Sequence, residues 1–261
     1  MRSDARAIGA EILGSALLAT IVIGSGIMAQ RLSPSDVGLQ LFENAFATAL
    51  GLAVLILILQ PVSGAHFNPA VTLADIVMHR RPWSVAAVYL PAQIVGCIAG
   101  AVLANLMFGL TAVSWSTTDR ADGPRLLSEV VATAGLVFLI FALVRTGRGN
   151  LAAPAVGAYI GSAYFFTSST SFANPAITIG RAFSDTFAGI APTSVLPFIA
   201  AQLIGAGVGV ALALGLFPQP ERSSRAARSA SASRPRAVSA QSRAAGRARG
   251  AAPQASCGSR R

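Results

Sequence analysis

Three short blocks of this sequence occur twice, in the same order, and that repetition limits the fold more than any other feature. AEILGSALLATIVIG around Glu11 pairs with SEVVATAGLVFLIFA around Glu129. HFNPAVTL (66–73) pairs with FANPAITI (172–179), and PAQIVGCIAG (91–100) with AAQLIGAGVG (200–209). The Glu, Asn-Pro-Ala and Ala-Gln landmarks lie 57 and then 25 residues apart in the first copy, 45 and 28 in the second. Each copy, about 5–110 and 124–216, holds three long apolar stretches. They run Ile8–Met28, Leu41–Leu59 and Val85–Phe108, then Val130–Val144, Leu151–Phe166 and Val195–Leu216. Most approach the roughly 20 residues needed to cross a bilayer, the fourth and fifth being shorter. An odd number of crossings per copy makes the second copy enter from the opposite side. Such an inverted repeat places its working site at the midplane between the halves.

Composition supports a membrane setting. Apolar residues make up 53% and charged residues 11%, with mean hydropathy +0.61, whereas soluble domains carry about a quarter charged residues. The net charge of +10 is unevenly placed. Residues 217–261 hold ten arginines and one acid; residues 1–216 hold ten arginines and nine acids. The chain therefore divides into an apolar membrane domain, 1–216, and an Arg/Ser/Ala-rich tail, 217–261, that cannot bury a core and is expected to be disordered. Because the charge belongs to the tail, nucleic acid is not an expected partner; the charge supports at most a cytoplasmic tail near anionic lipid. Arg2, Arg6, Arg80, Arg81, Arg145 and Arg148 fall on the side of the termini, against Arg31, Arg120, Arg125 and Arg181 opposite. This bias predicts a multi-pass protein of the inner (plasma) membrane with both termini cytoplasmic. Two cysteines and two histidines predict no disulfide framework and no metal site. No cofactor is expected, and no cluster of catalytic spacing suggests an enzyme. Cys97, on the third span, reads as a packing residue.

Two segments of about ten residues, Pro69–Met78 and Pro175–Phe183, interrupt the spans. They are too short to cross and suit re-entrant half-helices. Each begins Asn-Pro-Ala: Asn68-Pro69-Ala70 and Asn174-Pro175-Ala176. Asn suits the N-cap, and Pro suits the first turn, where its missing N–H has no partner to lose. In an inverted repeat the two N-termini point at one midplane, each with about half a positive charge. Together they oppose cations, while each Asn amide can donate to the oxygen of a neutral solute. The backbone ahead of each, 64–67 and 170–173, cannot be helical, and such backbone is tolerated in a membrane only where it lines a cavity. The pairs Gly96/Gly100, Gly157/Gly161 and Gly205/Gly209 have the spacing that lets helices approach closely.

These motifs resemble the major intrinsic proteins, the aquaporins and glycerol facilitators, over about Ala5 to Phe217; SGAHFNPAVTL is close to that family's signature. The resemblance implies an all-α membrane protein of six transmembrane helices plus two re-entrant half-helices. It also implies a homotetramer with one pore per subunit in the lipid bilayer, and passive transport of small neutral solutes. It further implies that Glu11 and Glu129, acids within apolar spans, brace the re-entrant loops near His66 and Ser171 rather than carry protons. His66 is read the same way.

The resemblance also locates a selectivity filter, and here the sequence departs from the family. The family's Arg directly after the second Asn-Pro-Ala is Ile177; Arg181, one turn later, is a candidate for partial replacement. Thr48 stands where an aromatic ring is usual, Tyr164 falls at the fifth-span position, and Ser171 lies on the loop. A constriction of Thr48, Tyr164, Ser171 and Ile177 is expected to be wider and more apolar than a water filter. TSSTSFANPAITIGRAFSDTFAGIAP is similar to a bacterial subgroup linked to arsenic resistance. That resemblance implies arsenous acid and related neutral hydroxides as the leading permeants, with glycerol-like solutes and water besides. The alternatives are a general water/glycerol channel and, in a different class, a non-conducting membrane scaffold.

Overall fold

A computed structural model describes residues 2–218 as a helical bundle. The expected tail therefore lies outside the described residues beyond position 218. Six longer helices are α1 (Arg2–Leu32), α2 (Val37–Ser63), α4 (Ser84–Met107), α5 (Gly123–Arg145), α6 (Ala152–Phe166) and α8 (Pro192–Leu216). The two short helices are α3 (Pro69–His79) and α7 (Pro175–Arg181). No strand occurs among the described residues. At their starts α2 and α5 outrun the apolar stretches because a polar cap, not hydropathy, sets the first turn. Asp36 accepts from Leu39 N at the start of α2, and Asp122 from Arg125 N at the start of α5. Each satisfies an N–H that the helix leaves open.

Five of these helices are long and apolar enough to span. With 15 residues, α6 reaches only about 22 Å at 1.5 Å per residue. A 3₁₀ turn, Gly149–Leu151, leads into it and adds about 6 Å. Exposed apolar side chains such as Leu57, Ile58, Leu196 and Ile204 cover the outside of the bundle, the arrangement of a protein whose solvent is lipid.

The sequence repeat is a structural repeat. Helix α1 packs on α4 as α5 packs on α8; α1 meets α2 as α5 meets α6. Both half-helices reach across the repeats: α3 packs on α4 and α8, and so does α7. At the α1–α4 crossing a Cβ on Gly96 would lie 2.5 Å from the Ile12 carbonyl oxygen. At the matching α5–α8 crossing one on Gly205 would lie 2.4 Å from that of Val130. Only hydrogen fits between these backbones. Cys97 is buried at the same crossing, with its sulfur 3.6 Å from the Ser15 carbonyl oxygen.

Candidate functional site

The site is built from two strained loops. Ahead of α3, Ala65 and Phe67 adopt left-handed backbone at φ 52° and 49°. Ahead of α7, Ser171 and Ala173 do the same at 48° and 47°. Each such non-glycine residue costs about 1 kcal/mol or more and persists only where its surroundings hold it. A buried carboxylate holds each loop. Glu11 accepts from the backbone N–H groups of His66 (3.0 Å) and Phe67 (2.8 Å) and from the Ser63 hydroxyl (2.6 Å). Glu129 accepts from the N–H groups of Phe172 and Ala173, both at 2.9 Å.

The third repeated block has a part that its motif does not announce. Gln93 Nε2 donates to Glu11 (2.7 Å) and to Thr72 Oγ1 (2.9 Å). Gln202 Nε2 donates to Glu129 (2.6 Å) and to Thr178 Oγ1 (2.9 Å). Those threonines donate to the Asn68 and Asn174 carbonyls. Glutamate, glutamine, threonine and asparagine thus form one chain in each half, tying a span to the start of a half-helix. Its sequence signal was the Gln in both copies of the block.

The half-helices meet end to end. Asn68 Oδ1 caps Ala70 N, and Asn174 Oδ1 caps Ala176 N and Ile177 N. Each Asn then gives one amide hydrogen to the other loop: Asn68 Nδ2 to the Ala173 carbonyl (2.7 Å), Asn174 Nδ2 to that of Phe67 (2.8 Å). The second hydrogen of each amide is left for another acceptor. Pro69, Ala70, Pro175 and Ala176 are buried behind the Asn side chains.

A cavity of about 350 Å³ passes this junction. Of the residues singled out in the sequence, His66, Asn68, Asn174, Thr48, Tyr164, Ser171 and Ile177 line it. Glu11 and Glu129 do not; they act on the loops from behind. Leu52 and Ile56 of α2 and Val156 and Ile160 of α6 give it apolar lining. The Tyr164 hydroxyl donates to Thr48 Oγ1 at 3.2 Å, joining α6 to α2. Tyr164→Phe should cost about 1 kcal/mol. Thermal unfolding of Tyr164→Phe, Thr48→Val and the double variant in detergent checks this, and no coupling between them would show that the bond adds nothing.

Arg181 also lines the cavity, and only 2% of it is exposed, so the lining around Ile177 is not free of charge. Arg120 stands nearby, donating to the Gly189 (2.8 Å) and Phe187 (3.2 Å) carbonyls. Burial, and then the charge of Arg125, pulls its guanidinium down to about 10, so it remains charged at neutral pH. The other end of the cavity has its own charged cluster, which sequence reading had not joined. Asp75 lies 2.7 Å from His79 Nδ1, 2.8 Å from Arg81 Nε and 3.8 Å from His66 Nε2. These four are brought together by the end of α3, and only the i, i+4 spacing of Asp75 and His79 was visible beforehand. His66 Nδ1 is 3.1 Å from Thr72 Oγ1, so its ring also tethers the loop to α3.

Paired half-helices inside an inverted six-span bundle, with a lined passage between them, define a transmembrane channel. The major intrinsic protein family matches residues 2–171. Aquaglyceroporin AqpS of Rhizobium meliloti (strain 1021) is 48% identical over 198 residues, covering 76% of this chain and 84% of that protein. Aquaporin NIP6-1 of Arabidopsis thaliana is 30% identical over 210 residues, covering 77% and 67%. The X-ray structure of the aquaglyceroporin from Plasmodium falciparum superposes with a TM-score of 0.60 over 82% of this chain and 95% of that one. At 20% identity that likeness speaks for the fold alone. The chain belongs to the major intrinsic protein family. It is a multi-pass membrane channel for small neutral solutes, not an enzyme.

Proposed function

We propose that this channel conducts arsenous acid and related uncharged hydroxides passively, with glycerol-like solutes and water as further permeants. The observation that carries this reading is the mixed apolar and polar lining of the cavity. Apolar side chains such as Leu52, Ile56, Val156 and Ile160 line it together with the polar Asn68, Asn174, Ser171 and Arg181. A compact trihydroxide or polyol can give its oxygens to the polar side chains and its body to the apolar ones. Ile177 in place of an arginine supports the passage of solutes larger than water. Thr48, Tyr164, Ser171 and Ile177 act as the filter, the two Asn-Pro-Ala starts as the cation barrier, and Glu11, Glu129 and His66 as loop braces. The subunits assemble as a homotetramer in the inner membrane with both termini cytoplasmic. The arginine bias supports that orientation, since Arg181 is buried and drops out of the opposite loops.

Light-scattering flux in proteoliposomes tests the reading. Arsenous acid and glycerol should both enter faster than through protein-free vesicles; water flux alone would overturn the arsenous acid assignment, and no flux would favour a scaffold. Ile177→Arg should slow arsenous acid and glycerol several-fold more than water, because the guanidinium would occupy the lumen. Equal loss of all three would remove Ile177 from the filter.

A further inference from the structure

We infer that Arg181 is the specificity-determining cation of this pore, delivered to the filter from one helical turn beyond Ile177 and held there on the face of Phe172. The inference rests on the channel reading and adds the residue that gives the pore its charge. Arg181 ends α7, and a helical side chain leans toward the N-terminus, covering the turn before its own Cα. An arginine at 181 therefore presents its guanidinium back toward the level of Ile177. Both residues line the same cavity.

The guanidinium is held on two sides. Its Nε donates to the Ala188 carbonyl. Its central carbon lies 3.4 Å from the centre of the Phe172 ring. That ring is fixed in turn by Phe198, edge-on at 5.2 Å. Phe172 also sits in the loop braced by Glu129, through its own N–H. The brace that shapes the loop thus also sets the platform under the arginine.

What Arg181 lacks is as informative. Among the described residues no carboxylate lies within ion-pair distance of it, and its two terminal amino groups have no hydrogen-bond partner. Arg120, 5.4 Å from the same ring, differs: Nε and one terminal amino group already serve carbonyls. An arginine kept only for packing would be an expensive choice at this depth, because intramembrane charge without a partner is costly. Facing a wet lumen, the same group offers a rigid fork of donors to a solute oxygen and a fixed charge against cations. The pore therefore retains a filter guanidinium although position 177 has none.

The experiment measures cation permeability relative to glycerol flux in proteoliposomes of the full chain. Arg181→Gln should raise that ratio by about tenfold or more, since one fixed charge is lost from a low-dielectric passage. Arg181→Lys, which keeps the charge, should stay within about threefold of the parent protein. The double variant Ile177→Arg/Arg181→Gln should return to the parent ratio. Unchanged cation exclusion in a glycerol-conducting Arg181→Gln protein would overturn the inference. So would a Lys variant that leaks as the Gln variant does, because packing rather than charge would then be responsible. If Arg181→Gln does not fold, the Lys variant decides the matter: a ratio within about threefold of the parent supports the inference, and a rise of about tenfold overturns it. Absence of solute flux through the parent protein would instead overturn the channel reading itself.

Discussion

Alanine at Gly100 should separate α4 from α1 and cost about 3 kcal/mol or more, close to the upper range for overpacking. The added Cβ would lie 2.1 Å from the Ala16 carbonyl oxygen, 2.9 Å from its carbon and 2.9 Å from Ala19 Cβ. Two of those atoms are backbone, so no rotamer change relieves the clash and the helix itself must move. Moving it also stretches the cross-helix bond from Thr20 Oγ1 to the Gly100 carbonyl, now 3.1 Å. In lipid a polar group freed in this way has no water to turn to. Gly207 provides the control: it is exposed on α8, and a Cβ there meets nothing within 4 Å. Gly207→Ala should be neutral or stabilise by up to about 1 kcal/mol, through helix propensity alone. Thermal unfolding in detergent, read by size-exclusion chromatography, compares the two. Similar midpoints for both variants would contradict the close crossing.

Glu129→Gln should lower stability by about 3 kcal/mol and bring solute flux close to that of protein-free vesicles. The side chain is wholly buried and accepts from Phe172 N, Ala173 N and Gln202 Nε2. Glutamine has the same size but turns one acceptor into a donor, so at least one buried N–H would face another. Each such loss costs about 1–3 kcal/mol. The consequence for transport follows from the backbone. Thr170, Ser171 and Ala173 sit at φ 62°, 48° and 47°, a conformation that relaxes once its acceptor is gone. Relaxation there moves Ser171, Phe172 and the Asn174 cap together. Glu11→Gln should act likewise on the other loop, where Ser63, His66, Phe67 and Gln93 donate. A Glu129→Gln protein with parental flux and parental unfolding would show that the carboxylate is not the brace.

The fold was legible because its determinants are local or periodic. Asn caps with Pro in the first turn start both half-helices, and apolar length marks a span. Helix ends were less legible. Hydropathy stops at Leu59, whereas α2 runs on to Ser63 and is closed by Gly64 at φ 91°. Part of the site's placement was legible too: Thr48, His66, Asn68, Tyr164, Ser171, Asn174 and Ile177 line one cavity, whereas Pro69, Ala70, Pro175 and Ala176 do not. The rest depended on neighbours far away in the chain. Gln93 meets Glu11 across 82 positions, and Tyr164 meets Thr48 across 116.

By itself the sequence determined the architecture: six spans, two half-helices and their opposed entry follow from apolar length, Asn-Pro caps and an odd number of crossings per repeat. It also determined that position 177 carries no charge. Only the tertiary structure decided what stands in the passage beside Ile177. A side chain's reach, its platform and its lack of a counter-charge depend on Phe172, Ala188 and Phe198 being brought around Arg181. Linear spacing records none of those three contacts, because each depends on how the chain folds back on itself before and after α7.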